Sequence, residues 1–381
     1  MDIVKSMEGG AVVLRLRSRV DATNVQSLQQ DWVGEGNGQL LVDLGECDYV
    51  SSAGLRGFML LARETAARGG SMALVNVPAA VYEVFEVTGF TRILDVRRKP
   101  REISIDGLEP LSAGVCGQCF QLDAETIVKL YNEGIAPEVA EREKEFARAA
   151  FIAGVPTALS YDVVTCGTRT GVIYEMLDAQ LFSALIRATP DRVDEHGALL
   201  ARIAHTFHSK AADPSIFPDL KDRLRGDIEG LRGIFPDDDV ELLAARLEMI
   251  PDGDNLVHYD LHTSNIMIRD GEPMIIDLGD LSRGHYFFDV GLIAMIFGYE
   301  EHGNCEFVTK IPNATGRRLY EHFLDAYFAG RPAEDRAFFD RNQAFLASLR
   351  LISSISILPP SRDVLVAKVR DDMLPKIRAE A

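Results

Sequence analysis

The sequence predicts two folds in series: an α/β module, a mixed sheet with helices, over residues 1–100, and an α+β module of two lobes over residues 108–381. Three observations predict it. Alternating or wholly apolar short runs take turns with helical runs through the first hundred residues, in the order β-α-β-α-β-α. The segment His258 to Asp280, HYDLHTSNIMIRDGEPMIIDLGD, spaces out the polar groups that a phosphoryl-transfer site needs. Finally, 381 residues exceed one ordinary domain, and 47% hydrophobic content can fill two cores.

In the first module, Gly10-Ala-Val-Val-Leu-Arg-Leu alternates as a strand, and Arg19-Val-Asp21-Ala-Thr23-Asn opens a helix with Asp21 or Thr23 at its start. Gln39-Leu-Leu-Val-Asp43-Leu is a buried strand. The turn Tyr49-Val-Ser51-Ser52-Ala53-Gly54-Leu55 leads into an apolar helix, Leu55 to Ala67. Ser71-Met-Ala-Leu-Val is another strand, and Ala79 to Thr88 another helix. Either Ser51 or Ser52 suits the N-cap of the Leu55 helix, because a serine oxygen accepts a free first-turn amide. The charged, Pro-bearing run Arg97-Arg-Lys-Pro100-Arg marks the boundary.

The second module divides into a small mixed lobe, about 108–177, and a helical lobe, about 178–381. A hairpin carrying Gly114 and Gly117 could lay backbone amides over phosphates, since glycine permits close approach and φ > 0. Thr126-Ile-Val-Lys129-Leu-Tyr places a lysine in a β-rich strand, within reach of α/β-phosphates from the sheet face. Glu141-Arg-Glu143-Lys-Glu145-Phe then starts a helix ending near Gly154-Val-Pro156. Glu141 and Glu145 share one helix face and Glu143 lies on another, so only one face can point at the lysine. Gly171-Val-Ile-Tyr-Glu175-Met-Leu177 leads into a hinge whose backbone, Glu175 to Leu177, can serve an adenine edge. In the catalytic segment, Asp260 can accept a hydroxyl proton, Asn265 can help hold Mg²⁺, and Asp277 emerges from the apolar run Met274-Ile-Ile276 to hold the same metal. Singly, Asp260 and Asn265 also suit turns, Lys129 a solvated strand and Asp277 a helix N-cap. Their order along the chain favours the site. His258 and Asp289 read as supports of the catalytic loop, and His205 and His208 as helix packing.

The order His-x-Asp-x-x-x-x-Asn, a turn at Asp270-Gly271, then Ile-Ile-Asp-Leu-Gly resembles the aminoglycoside and choline phosphotransferase group of the protein-kinase-like fold. The resemblance implies an ATP- and Mg²⁺-dependent phosphotransferase of bilobal, protein-kinase-like fold, with Glu143 as the partner of Lys129 and a small-molecule hydroxyl as acceptor. The first module resembles a STAS domain, the fold of bacterial anti-sigma-factor antagonists. In those proteins the turn reads Asp-Ser-Ser/Thr-Gly-Leu and its first Ser is the phosphoacceptor; Ser52 occupies that position, with Ser51 in place of the Asp and Ala53 after it. That resemblance implies a protein partner for the STAS domain.

A formal charge of −18 argues against a general nucleic-acid binder, which needs clustered Lys and Arg. The longest apolar stretch, Tyr286 to Phe297, is interrupted by Asp289 and too short to span a bilayer, and no N-terminal targeting pattern is visible, so the expected location is cytoplasmic with no membrane partner. Five cysteines read as free thiols. Cys116-Gly-Gln-Cys119, a lone CxxC inside the presumed phosphate hairpin, reads as incidental small residues.

Overall fold

The computed structural model describes residues 3–29, 38–114, 116–299, 304–357 and 361–380, and the chain divides into two units, Met1–Ile103 and Ser104–Ala381. In the first unit, β1 (Ile3–Glu8) and β2 (Ala11–Leu16) form a hairpin closed by Gly9 and Gly10, at φ 56 and 87. β3 (Gln39–Asp43), β4 (Ser71–Val77) and β5 (Asp95–Arg98) follow in the order β1-β2-β3-β4-β5. Only the β1–β2 pair is antiparallel; the rest are parallel, so the sheet is mixed. The crossovers carry α1 (Ser52–Ala67) and α2 (Ala79–Val87). Val12, Leu14, Leu40, Val42 and Leu74 from the sheet pack with Phe58, Leu61 and Phe85 from the helices.

Sequence alone omits β1 and β5, because edge strands are half exposed and lack a buried run. Arg97 and Arg98, expected in the linker, belong to β5, and β6 (Arg101–Glu102) follows at the junction. The helix expected after Asp21 is a 3-10 turn, Val25–Gln29; its continuation lies outside the described residues. Asp21 Oδ1 accepts the Thr23 amide at 2.9 Å, which settles the local turn. At the next helix, Ser51 is the cap: its Oγ accepts the Gly54 amide at 3.2 Å, while Ser52 is exposed in the first turn.

The small lobe of the second unit is the antiparallel run β10-β11-β9-β8-β7, made of β7 (Pro110–Ala113), β8 (Gly117–Gln121), β9 (Thr126–Tyr131), β10 (Ser160–Cys166) and β11 (Arg169–Glu175). Against it lies α3 (Pro137–Ile152), which starts at a proline four residues before the expected Glu141 and places Ala140, Glu143, Ala147 and Ala150 on its buried face.

The helical lobe opens with β12 (Gln180–Leu181), α4 (Phe182–Ala188), α5 (Val193–His208), α6 (Leu220–Glu229) and α7 (Asp237–Met249). The catalytic segment lies among β13 (Asn255–Val257), β14 (Ile266–Arg269), β15 (Glu272–Ile275) and β16 (Ser282–Gly284). α8 (Phe287–Ile293) continues as a π-helical turn, Ala294–Gly298, and α9 (Asn304–Thr309), α10 (Asn313–Phe328), α11 (Ala333–Arg341), α12 (Gln343–Ile357), α13 (Arg362–Ala367) and α14 (Leu374–Ala379) complete the lobe. The run Pro236-Asp237-Asp238-Asp239 opens α7, with Pro236 at its N-cap. Its three aspartates meet the helix N-terminus, and Asp239 is buried against Arg378. Among the described residues no helix is long and apolar enough to cross a membrane.

Three histidines in this lobe are held neutral. Burial pushes His285 down to about 4 and lowers His196 and His205 below their ordinary 6.5. A folded-state value below the unfolded one means the unfolded chain binds more protons, so stability present above pH 6.5 is lost as pH falls toward 4. The melting temperature is therefore expected to drop steadily across that window, and His285→Gln should flatten the drop. Equal melting temperatures at both ends would exclude this contribution.

Candidate active site

Lys129, on β9, points from the sheet into a pair of carboxylates. Its Nζ lies 2.9 Å from both Glu143 oxygens and 2.6 Å from Asp277 Oδ1. Of the three glutamates at the start of the α3 motif, Glu143 is therefore the one that meets the lysine. Its carboxylate also accepts the Tyr131 and Tyr174 hydroxyls, the latter at 2.9 Å. Burial and the Glu143 charge push both phenols up, so they stay protonated and donate. Burial alone would lower Lys129, but the charges of Glu143 and Asp277 outweigh it and hold the amine protonated.

Asp277 stands two residues past β15 in the left-handed region, φ 63 and ψ 63, and makes no helix-cap hydrogen bond. This excludes the N-cap role. A non-glycine residue in that region is strained, and such strain collects where a side chain must be aimed. The Asp277 side chain is half exposed and the Glu143 side chain buried, so one anchor of the amine faces solvent and the other does not.

Asp260 and Asn265 face each other across the catalytic loop: Asn265 Nδ2 donates to Asp260 Oδ2 and to its backbone oxygen, each at 2.9 Å. The Ile276 amide donates to Asn265 O at 3.0 Å, and His258 Nε2 meets Ile276 O at 3.1 Å, which ties the loop to the strand end that presents Asp277. Burial alone would raise the Asp260 carboxyl. The charges of His262 and Arg350 outweigh that and hold it well below the usual carboxylate range, so it is ionised at neutral pH. Asp289, fully buried, accepts the amides of His258 and Tyr259 at 2.9 and 2.6 Å and meets His208 Nε2 at 2.9 Å. It braces the loop from behind, and His208 is a packing residue of that brace.

At the hairpin, a Cβ on Gly117 would stand 2.3 Å from Leu130 O, whereas one on Gly114 would meet nothing closer than 3.9 Å. Neither glycine has positive φ, so the glycine at 117 serves the close approach of β8 to β9 rather than a left-handed turn. The Gly114 amide bonds Gly117 O at 2.8 Å and closes the hairpin; Val115, at its tip, lies outside the described residues. Cys116 and Cys119 are free, and burial raises both thiols, which disfavours a reactive thiolate. At the hinge, the Glu175 amide donates to Leu159 O and the Met176 amide to Glu125 O. Among the described residues the Leu177 amide has no such acceptor. The Glu175 side chain is engaged with Arg269 at 3.2 Å, so only its backbone can face a base.

Sequence reasoning missed Tyr131, Tyr174, Asp280, Arg223 and Arg350. Arg350 Nη2 lies 2.9 Å from Asp280 and 3.6 Å from Asp260, and Arg223 Nη1 is 3.3 Å from Asp280. The available signal was one charged residue in the otherwise uncharged α12. Among the described residues no group of three or more His, Cys, Asp or Glu could hold a metal. A cation here would draw the rest of its shell from water and phosphate oxygens. Asn265 spends its amide nitrogen on Asp260, leaving its oxygen, and with the half-exposed Asp277 carboxylate this is a donor pair that suits a hard cation such as Mg²⁺.

A lysine anchored by a buried glutamate, a loop carboxylate and a second carboxylate at a strand end define an ATP-dependent phosphotransferase. Comparison with known proteins agrees: residues 107–339 match the phosphotransferase enzyme family, and the chain belongs to that family. Residues 3–95 match the Mlab, STAS domain model. A protein named as an anti-sigma factor antagonist, BtrV of Bordetella bronchiseptica, is 34% identical over 90 residues, which cover 23% of this chain and 78% of BtrV. Methylthioribose kinase of a Geobacillus species is 41% identical over 73 residues, 19% of this chain and only 18% of that enzyme. Among solved structures, the Plasmodium vivax ethanolamine kinase superposes with a TM-score of 0.52 at 15% identity, covering 73% of this chain and 85% of that one. A thermostable mutant of aminoglycoside phosphotransferase APH(4)-Ia gives 0.51 at 13% identity, covering 71% and 94%. These two likenesses show the shared fold.

Proposed function

We propose that the second unit transfers the γ-phosphoryl group of ATP to a hydroxyl of a small molecule, with Mg²⁺, and that the STAS unit docks a protein partner. The observation that carries this is Lys129 Nζ, bonded at once to buried Glu143 and half-exposed Asp277, with Asp260 tied to the same strand end. Lys129 holds the α/β-phosphates, with Gly114 and Gly117 in the hairpin above them, and Glu143 keeps the amine in place. The Leu177 amide and the Glu175 carbonyl serve the adenine edge. Asp260, already ionised, orients the acceptor hydroxyl and takes its proton. Asn265 and Asp277 would hold Mg²⁺, which when bound neutralises charge on the phosphate oxygens. Positioning and charge stabilisation then supply most of the rate. The names of the kinases it resembles, for methylthioribose and ethanolamine, describe small acceptors.

A second reading, in which the STAS unit is a phosphorylation switch, is favoured by one observation: Ser51 caps α1, which leaves Ser52 exposed beside free amides that favour added negative charge. One experiment tests both readings. ATP turnover of the purified chain is measured against sugars, amino alcohols and aminoglycosides, and phosphosites are then mapped by mass spectrometry alongside an Asp260→Asn control. We expect acceptor-stimulated turnover with Ser52 unmodified. Phosphate on Ser52 in the wild type alone would favour the switch, and absence of both would remove the proposed function.

A further inference from the structure

We propose that Arg350 is a catalytic residue of this phosphoryl transfer, reaching the reacting oxygens from the helical lobe; the inference rests on the reading above. The two oxygens of Asp260 differ. Oδ2 takes Asn265 Nδ2 at 2.9 Å and has His262 Nε2 at 3.6 Å. Oδ1 faces Arg350 Nη2 at 3.6 Å, too far for a hydrogen bond. Oδ1 is thus the oxygen open to an acceptor hydroxyl, and an acceptor oxygen bonded to it comes within reach of the guanidinium.

The arrangement around Arg350 holds it there. Nη2 is fixed at 2.9 Å on Asp280 Oδ2, and Asp280 Oδ1 is held in turn by Arg223. Both guanidinium carbons lie over the Tyr259 ring, at 4.8 Å for Arg223 and 5.2 Å for Arg350. Tyr259 is itself in the left-handed region, φ 60, buried, with its hydroxyl 3.1 Å from Ser353 Oγ. A tyrosine is poorly suited to that backbone, so the ring's contact with two cations is a reason for its presence. Arg350 Nη1 is buried without an acceptor among the described residues, as are Nε and Nη2 of Arg223. Packing thus leaves Arg350 with one donor, Nη1, that has no protein acceptor among the described residues, while Nη2 of the same guanidinium faces the carboxylate of Asp260.

In the step, the acceptor O–H bond breaks and its proton goes to Asp260 Oδ1. The acceptor oxygen bonds the γ-phosphorus, and the bond from that phosphorus to the β–γ bridging oxygen breaks, releasing ADP. Arg350 stays charged throughout, since burial is outweighed by Asp280 and Asp260, which raise it further. It stabilises the negative charge that moves between acceptor and phosphoryl oxygens.

The test uses the full chain and reads ATP turnover with water as acceptor, and with any hydroxyl compound the screen supplies. Arg350→Met should lower kcat by about 100-fold with KM for ATP and ADP affinity unchanged. Added guanidinium, at concentrations that leave the melting temperature unchanged, should restore part of the rate, which a structural role would not allow. Should Arg350→Met fail to bind ADP, Arg350→Lys carries the test: it keeps the charge, loses the planar fork, and should also lower kcat at unchanged ADP affinity. Wild-type kcat in either variant, or a loss that guanidinium leaves untouched, would overturn the proposal. A wild-type chain that binds no ATP would instead overturn the phosphotransfer reading, so the two failures are distinguishable.

Discussion

Asp260→Asn is expected to lower turnover by about 1000-fold while ATP affinity is largely kept, because the substitution removes the proposed proton acceptor without touching Lys129 or the hinge. The asparagine retains the shape of the side chain and can still meet Asn265, so the loop braced by Asp289 should hold. Asp277→Ala should lose turnover as severely by a different route, through the metal dependence. Steady-state kinetics across a Mg²⁺ titration, with ATP binding followed by calorimetry, separates the two. Wild-type rates in both variants would sink the assignment of these residues.

Loss of Glu143 is expected to cost both stability and nucleotide binding. Its buried carboxylate takes Lys129 and the hydroxyls of Tyr131 and Tyr174, so Glu143→Ala leaves Lys129 with the half-exposed Asp277 alone and removes the acceptor of two buried phenols. Removing one partner of such a buried pair should destabilise the small lobe by about 3 kcal/mol. Glu143→Gln keeps the shape and loses the charge, and should weaken ATP affinity with a smaller stability loss. Glu141→Gln and Glu145→Gln should change ATP affinity much less. Denaturant unfolding and ATP calorimetry on the four variants check this, and a larger affinity loss at Glu145 than at Glu143 would contradict the observed pairing.

The unequal legibility of these residues has a physical origin. Asp260, Asn265 and Asp277 lie in one segment of the chain, where spacing alone carries the pattern, and Lys129 and Glu143 are only fourteen residues apart on elements with clear periodicity. Asp289 was legible as a buried acceptor because it interrupts an apolar run. Which of Glu141, Glu143 and Glu145 meets the lysine was open from the residues themselves and rested on family resemblance. The structure settles it through the start of α3 at Pro137, which turns the Glu143 face inward. Arg223 and Arg350 were not legible, since each is separated from Asp260 by long stretches of chain and carries no local spacing signal.

By itself the sequence determined the two modules, the places of the candidate catalytic-loop groups and the alternation of strand and helix, because these follow from short-range periodicity and fixed local spacing. It also determined that Ser51 or Ser52 begins α1. Tertiary structure alone decided that Ser51 is the cap, since capping depends on the approach angle of the chain. It likewise decided that edge strands β1 and β5 complete the first sheet, that Glu143 is satisfied by two tyrosines from β9 and β11, and that Arg350 stands against Asp260. Each of these joins residues that are distant in sequence or lack a buried run, and only packing brings such groups within hydrogen-bonding or Coulomb range.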